Sequence, residues 1–534
     1  MDLSETTGQQ IRDENVRACM EIFKVIETSF GPISFDKMII NELGEICFTN
    51  DGANILKRIE ILHPAAKILV SLSQQQDEEI GDGTTGVVLI ACELLKRANE
   101  LINKKIHPSV VISAYRLAMC YACRKIKENM CISADLFSAR FFINVAKTSL
   151  SSKIIGLNSK KFATISFYVI KSVFILERKR KKIYFELKAI NFVKIYGDSI
   201  NSSHIFDGCV IEHQEMFSNM VNYVGPVKIM CFNFDLKLSK PKLGVSVQAK
   251  NLSDIKIIFD KELKVLLTQI KKIVQVGVNL IFTTKNIDDF IVKYLVKNGI
   301  VIVRKISDVF IKKIAAITGL KVQNSFKKNN LYNDTKFIQI GEAEEFFKEK
   351  ISSENFILLR GCRFCPSGSV VLRGATGFLL DEIAHALYDA MCAIKKAAET
   401  NKFVTGGGSV ETNLSVSLEK LAGTIYTQEQ LGILEFSEAL LIIPKILCKN
   451  AGLNYTEILS KLKILHLISL HEKFSEIKHF GIDLFSGQLV NQLKNSIIEP
   501  AISKIKSIQI ATEATITLLR IDDFIISTKQ TKKK

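Results

Sequence analysis

Over residues 1–130 apolar side chains recur every three to four positions, the period of helices that bury one face. Glycine-bearing turns punctuate the run at Gly31-Pro32, Asp51-Gly52 and 81–85 (GDGTT). From about 135 to 205 the pattern is mixed. Between about 206 and 365 short β-rich runs appear, at 227–234, 245–247, 279–284 and 300–303. Helical stretches such as 260–276 and 288–298 separate them, and strand–helix alternation at this spacing predicts an α/β layer. After Arg373 helical spacing returns over 381–400, 409–421, 428–451 and 455–465; residues 513–520 then lead to a last apolar run at 523–527. Two ends of like character around a different middle suggest one domain assembled from both ends of the chain.

Composition narrows the class. At roughly 150 residues per domain, 534 residues make three or four domains, long enough to bury cores without disulfides or structural metals. An apolar share of 47% and a charged share of 24% are those of an ordinary globular protein. No run reaches the roughly 18 apolar residues of a membrane helix, Glu93 breaks the stretch 87–95, and the N-terminus has no signal-like apolar core. A cytoplasmic protein with no membrane partner is expected. Twelve scattered cysteines suit a reducing compartment. Two Cys-x-x-Cys pairs, Cys120/Cys123 and Cys362/Cys365, have the spacing of zinc ligands, but the first sits in a helix-like run where buried thiols simply pack. The net charge of +17 is spread thinly, with one dense run at 178–182 (RKRKK) and a solvated tail at 529–534, so no nucleic-acid partner is expected.

Candidate chemistry lies in the loops. Glycines let a backbone approach phosphate closely, and a loop feeding a helix presents free N–H groups to an anion. The 81–85 loop does this just ahead of an apolar helix, with hydroxyls on Thr84 and Thr85 and a magnesium-type carboxylate on Asp82. Taken singly, GDG and NDG are as readily plain turns, and no Walker A pattern spans them. Gly406-Gly407-Gly408 precede a helical run and read as a ligand contact or a hinge. Asp389 projects opposite the apolar face of its helix, beside His385, Cys392 and Lys396; on helix geometry alone it reads as a solvated carboxylate.

The segments GPISFDKM (31–38), TNDGANIL (49–56), HPAAKILV (63–70), GDGTT, AKTSLSSKIIG (146–156), LRGAT (372–376), 381–392 and GGGSVE (406–411) occur in this order. That set closely resembles the group II chaperonins, near-continuously over 8–130 and 365–525 and more thinly over about 157–225 and around 320–360. Among the family's paralogous subunits it is most like the alpha type, on HPAAKILV, KLGVSVQ (242–248), NLIFTTKNIDDF (279–290), EQLGILEFSEALLIIP (429–444) and ATEATITLLRIDDFI (511–525).

The resemblance implies a multi-domain α/β chaperonin fold. Residues 1–135 and 405–534 would form a mainly helical equatorial ATP-binding domain, 136–205 and 366–404 a small α/β intermediate hinge, and 206–365 an α/β apical client-binding domain with a helical lid protrusion. It implies ATP and Mg²⁺ as cofactors. Paralogous subunits in a double eight-membered ring would be its partners, together with unfolded or partly folded clients. Asp389 and Asp51 would be catalytic and Asp82 would bind Mg²⁺. Gly31, Pro32, Gly52, Gly83, Thr84, Thr85, Lys153, Gly407, Gly408 and Asp483 would contact the nucleotide.

Several positions depart from the family. Ser34 replaces a glycine; if that position needs a positive φ, the loop is displaced. Ala384-His385 replaces a Glu-Arg pair, Tyr388 a histidine, and 487–498 lacks the family's acidic residues. The departures raise the alternative of a ring member that binds ATP but hydrolyses it weakly.

Overall fold

A computed structural model describes residues 8–522 except 41–43, 45, 134–138, 178–181, 186, 188–189, 213–220, 237–263, 265–266, 269, 272, 325–339, 352–353, 363–367 and 471. The expected runs at 245–247 and 523–527, about half of 260–276, residues 178–181 and Cys365 lie outside them. The chain divides into two compact units. One comprises 1–170, 176–184 and 381–534, the other 171–175 and 185–380.

The first unit is mainly helical. Its centre is Thr84–Asn103, apolar on nearly every side, which the chain can bury only by surrounding it. Gly8–Glu27, Pro64–Glu79, Glu429–Leu440 and Ala501–Leu519 pack around it. Local sequence sets the helix starts. His63 and His107 accept from the amides of Ala65 and Ser109, and Pro64 and Pro108 fill first-turn positions where no N–H is needed. The expected run 428–451 is two helices, Glu429–Leu440 and Ile442–Asn450. Pro444 explains the break, because it lacks the N–H that a continuous helix would bond to the carbonyl of residue 440. Strands Ile132–Ser133, Lys402–Thr405 and Ile498–Pro500 form one antiparallel sheet with Lys402–Thr405 central, so distant stretches of chain meet. Lys37–Ile40 and Ile46–Thr49 form a hairpin.

The second unit is the α/β layer that the alternation predicted. In a four-stranded sheet, Val301–Val303, Leu280–Thr283 and Val227–Phe232 run parallel and Gly341–Ala343 antiparallel. The helix Asp289–Lys297 follows Leu280–Thr283, and Asp308–Thr318 follows Val301–Val303. All four residues of Leu280–Thr283 are buried, as a central parallel strand requires. A six-stranded sheet runs in the order Asn191–Tyr196, Gly368–Gly374, His204–Glu212, Glu354–Arg360, Glu345–Ile351, Tyr223–Val224. Among the described residues no helix is long and apolar enough to cross a membrane, and no cluster of three or more His, Cys, Asp or Glu could hold a metal by itself. Cys120 is exposed and Cys123 buried on the helix Pro108–Lys125, whereas Cys362 belongs to the other unit.

Candidate active site

Asp51 ends the hairpin and caps the helix Gly52–Arg58, its Oδ2 accepting from the Asn54 amide at 3.2 Å. Its Oδ1 accepts from the Thr84 hydroxyl at 3.0 Å. Gly52 is required here by close approach: a Cβ would meet Thr85 Oγ1 at 2.6 Å. One turn therefore holds the Asp51 loop against the start of the central helix.

That start is built by Gly83. Its φ of +77° is a conformation most side chains avoid, and it lets the chain enter Thr84–Asn103 from the Asp82 loop. The Gly83 amide donates to Asp82 Oδ1 at 2.7 Å, while Gln76 Nε2 donates to the Asp82 carbonyl at 3.1 Å. Gly81 abuts the helix Gly377–Thr400, where a Cβ would lie 2.5 Å from Cys392 Cβ.

Lys153 joins the pieces. Its Nζ donates to Asp389 Oδ2 at 3.0 Å and stands 3.8 Å from Asp51 Oδ1. The three side chains are only 10–13% exposed. Asp389 is thus the buried partner of a lysine, correcting its reading as a solvated carboxylate. Helical projection shows which residues share a face but not what covers that face. Burial pushes the Asp389 carboxyl well above its usual range; Lys153 pulls it back, and Asp51 and Asp82 push it further. Burial also raises Asp82, against the pull of Lys153. Desolvation works to discharge Lys153, but Asp389 and Asp51 outweigh it and keep the ammonium charged. Two carboxylates therefore pair with one ammonium and Asp82 adds to the negative charge around it, an excess that a divalent cation would offset.

Gly407, Gly408 and Asp483 form a second group. The Ile482 amide donates to the Gly407 carbonyl at 3.0 Å, so the turn bearing Asp483 backs the glycine loop. Gly408 has a φ of +74° and opens the helix Ser409–Ala422. Asp483 is occupied locally, accepting from the Phe485 amide and the Ser486 hydroxyl. The groups are linked through the helix Ala501–Leu519. Ser503 Oγ lies 3.3 Å from the Cβ position of Gly83, and Lys504 Nζ lies 2.8 Å from both Glu411 and Glu499.

Gly31 carries the positive φ of its turn, +100°, and Pro32 follows it. Ser34 is not among the positive-φ residues, and its hydroxyl accepts from Asn50 Nδ2 at 2.6 Å. The serine therefore carries no positive φ, and its hydroxyl is used as a side-chain contact.

Sequence reasoning missed Glu382, which is buried and accepts from the Thr49 hydroxyl. Its spacing was a usable signal, since it precedes Asp389 by seven positions, two turns of one helix. The Lys504–Glu411–Glu499 cluster had no comparable signal.

Residues 22–530 match the model of the TCP-1/cpn60 chaperonin family. T-complex protein 1 subunit alpha of Arabidopsis thaliana is 41% identical over 97% of this chain and 95% of its own length. The protein of the same name in Dictyostelium discoideum is 39% identical over 98% and 96%. The thermosome subunit of Pyrococcus abyssi is 34% identical over 99% and 93%. Relatives named for the alpha subunit thus match at higher identity than this archaeal one, in keeping with the alpha-type segments. The chain belongs to the TCP-1/cpn60 chaperonin family and has its multi-domain α/β fold.

Proposed function

We propose that this chain is an ATP-hydrolysing chaperonin subunit of the cytoplasm. It would couple ATP binding and hydrolysis to closure of a double ring of eight-membered rings, built with paralogous subunits, and so assist folding of cytosolic proteins (in the family, actin and tubulin among them). The carrying observation is the buried constellation in which Lys153 lies between Asp389 and Asp51 at the start of the Thr84–Asn103 helix.

The residues present fit Mg²⁺ and ATP. Carboxylates outnumber the local ammonium, as a divalent cation requires. The amides and hydroxyls of Gly83, Thr84 and Thr85 open a long helix, a favourable place for phosphate, and Gly52 admits close backbone approach. Asp82 would hold the metal, Lys153 the terminal phosphate, Gly31 and Pro32 the nucleotide's flank, and Gly407, Gly408 and Asp483 its nucleoside end. When bound, Mg²⁺ and ATP supply the phosphoryl group and the cationic charge that neutralises its oxygens.

Asp51 and Asp389 would orient the attacking water. A carboxylate whose affinity for protons is raised by burial is the better acceptor of the water's proton. Residues 1–135 with 405–534, 136–205 with 366–404, and 206–365 would serve as equatorial, intermediate and apical domains. Asp389, on the intermediate segment, would make hydrolysis wait for that segment to close.

The test is single-turnover ATP hydrolysis by the assembled complex, wild type against Asp389→Ala in this subunit alone. Loss of one subunit type's share with ATP still bound is expected. An unchanged burst would leave a ring member that binds ATP without hydrolysing it.

A further inference from the structure

The helix that carries Asp389 meets the Asp51 loop at a second place. Glu382 stands two turns before Asp389, on the same face. The Thr49 hydroxyl donates to Glu382 Oε1 at 3.3 Å, and its oxygen accepts from the Asp51 amide at 3.2 Å. Asp51 in turn accepts from the Thr84 hydroxyl. A hydrogen-bonded chain, Glu382–Thr49–Asp51–Thr84, therefore runs from the Asp389 helix to the start of the central helix. Glu382 is 5% and Thr49 1% exposed.

A glutamate so deeply buried is costly to keep, and an apolar residue would pack a helix against a loop at less expense. What a carboxylate adds is direction: it fixes the Thr49 hydroxyl, which fixes the Asp51 amide. Misplacement of a water-orienting group by a fraction of an ångström is enough to slow a reaction.

We infer that Glu382 and Thr49 are positioning residues for hydrolysis, setting Asp51 in register with Asp389 without themselves touching the nucleotide. The inference rests on the ATPase reading above. It concerns the rate of the chemical step and leaves ATP affinity to other groups.

The test compares assembled complexes carrying Thr49→Val, Thr49→Ser, Glu382→Ala or Glu382→Gln in this subunit alone. Asp389→Ala sets the baseline for this subunit's share. ATP binding, single-turnover rate and melting temperature are measured on each. Thr49→Val and Glu382→Ala are expected to slow this share about tenfold, the effect of about 1.4 kcal/mol in the barrier. ATP affinity should stay within about twofold of wild type. Thr49→Ser restores the hydroxyl and Glu382→Gln keeps an acceptor, so both should recover most of the rate. Rate and affinity falling together, serine no better than valine, or no slowing at all would overturn the inference while leaving the ATPase reading intact. A wild-type complex with no burst above the Asp389→Ala baseline would sink the ATPase reading, and this one with it.

Discussion

Acid should loosen the strand Phe480–Ile482, whose last amide donates to the Gly407 carbonyl, and His466 largely sets by how much. This residue is fully buried (0% exposed) on the helix Tyr455–Ser469. Its Nε2 lies 3.1 Å from the Phe480 carbonyl and its Nδ1 3.2 Å from the Asn413 amide nitrogen, the arrangement of a neutral ring that donates once and accepts once. Burial pushes its pKa down from 6.5 to about 4, with the Phe480 bond opposing and His479 adding to the fall. Once the region opens, the ring regains the usual value, so the open state binds more protons between pH 6.5 and 4. Stability there is full above pH 6.5 and drains as pH falls. For values of 6.5 and 4 the loss at pH 5 is about 2 kcal/mol, a factor of about 30 in the opening equilibrium. Hydrogen exchange, corrected for intrinsic rates, should show peptides over residues 455–491 losing about 30-fold protection between pH 7.5 and 5. His466→Gln keeps one donor and one acceptor but cannot titrate, and should lose much less protection, the remainder coming from His479, which burial also lowers. Asp82, Glu382 and Asp389, all raised by burial, act in the opposite direction, and subtracting the glutamine variant removes their share. An equal loss in that variant, or none in wild type, would refute the reasoning.

Two further outcomes follow from packing. Gly408→Ala would place a Cβ 2.7 Å from Pro444 Cβ at a φ of +74°, and should lower the unit's stability by about 1–3 kcal/mol in a thermal melt, with weaker ATP binding. Lys504→Met would leave Glu411, 5% exposed, and Glu499 without their shared ammonium; a loss of about 3 kcal/mol is expected near neutral pH, partly recovered as the carboxylates protonate in acid.

The α/β layer was legible in the sequence where its strands are short apolar runs that follow one another in the chain and pair in the sheet. Leu280–Thr283 and Val301–Val303 were visible for that reason. The helical runs were equally plain, apart from the break that Pro444 imposes. Loops bearing Asp51, Asp82 and the glycines announced themselves by residue type. What periodicity could not convey was pairing at a distance. Asp389 looked solvated because its partner, Lys153, lies more than two hundred residues away in the chain. Glu382 offered only its seven-residue spacing from Asp389, its hydroxyl partner belonging to the distant hairpin strand Ile46–Thr49. Ser34 ran in the other direction: its residue type raised the prospect of strain, whereas its φ is not positive and its hydroxyl meets Asn50.

The contact between Gly81 and Cys392 sets a joint limit on evolutionary drift. With a Cβ at position 81 only 2.5 Å from that of Cys392, the combined volume at the two positions has a ceiling. Enlarging either one pries the Asp389 helix off the Asp82 loop, so the two sites are expected to covary in size and to change, if at all, by paired substitution. The thiol itself, pushed up to about 12 by burial, stays protonated and is a poor nucleophile, which makes cysteine here a small space-filler well shielded from alkylation. Lineages that lengthen or reshape the surrounding loops remain free to do so, provided the combined volume at this contact stays under its ceiling.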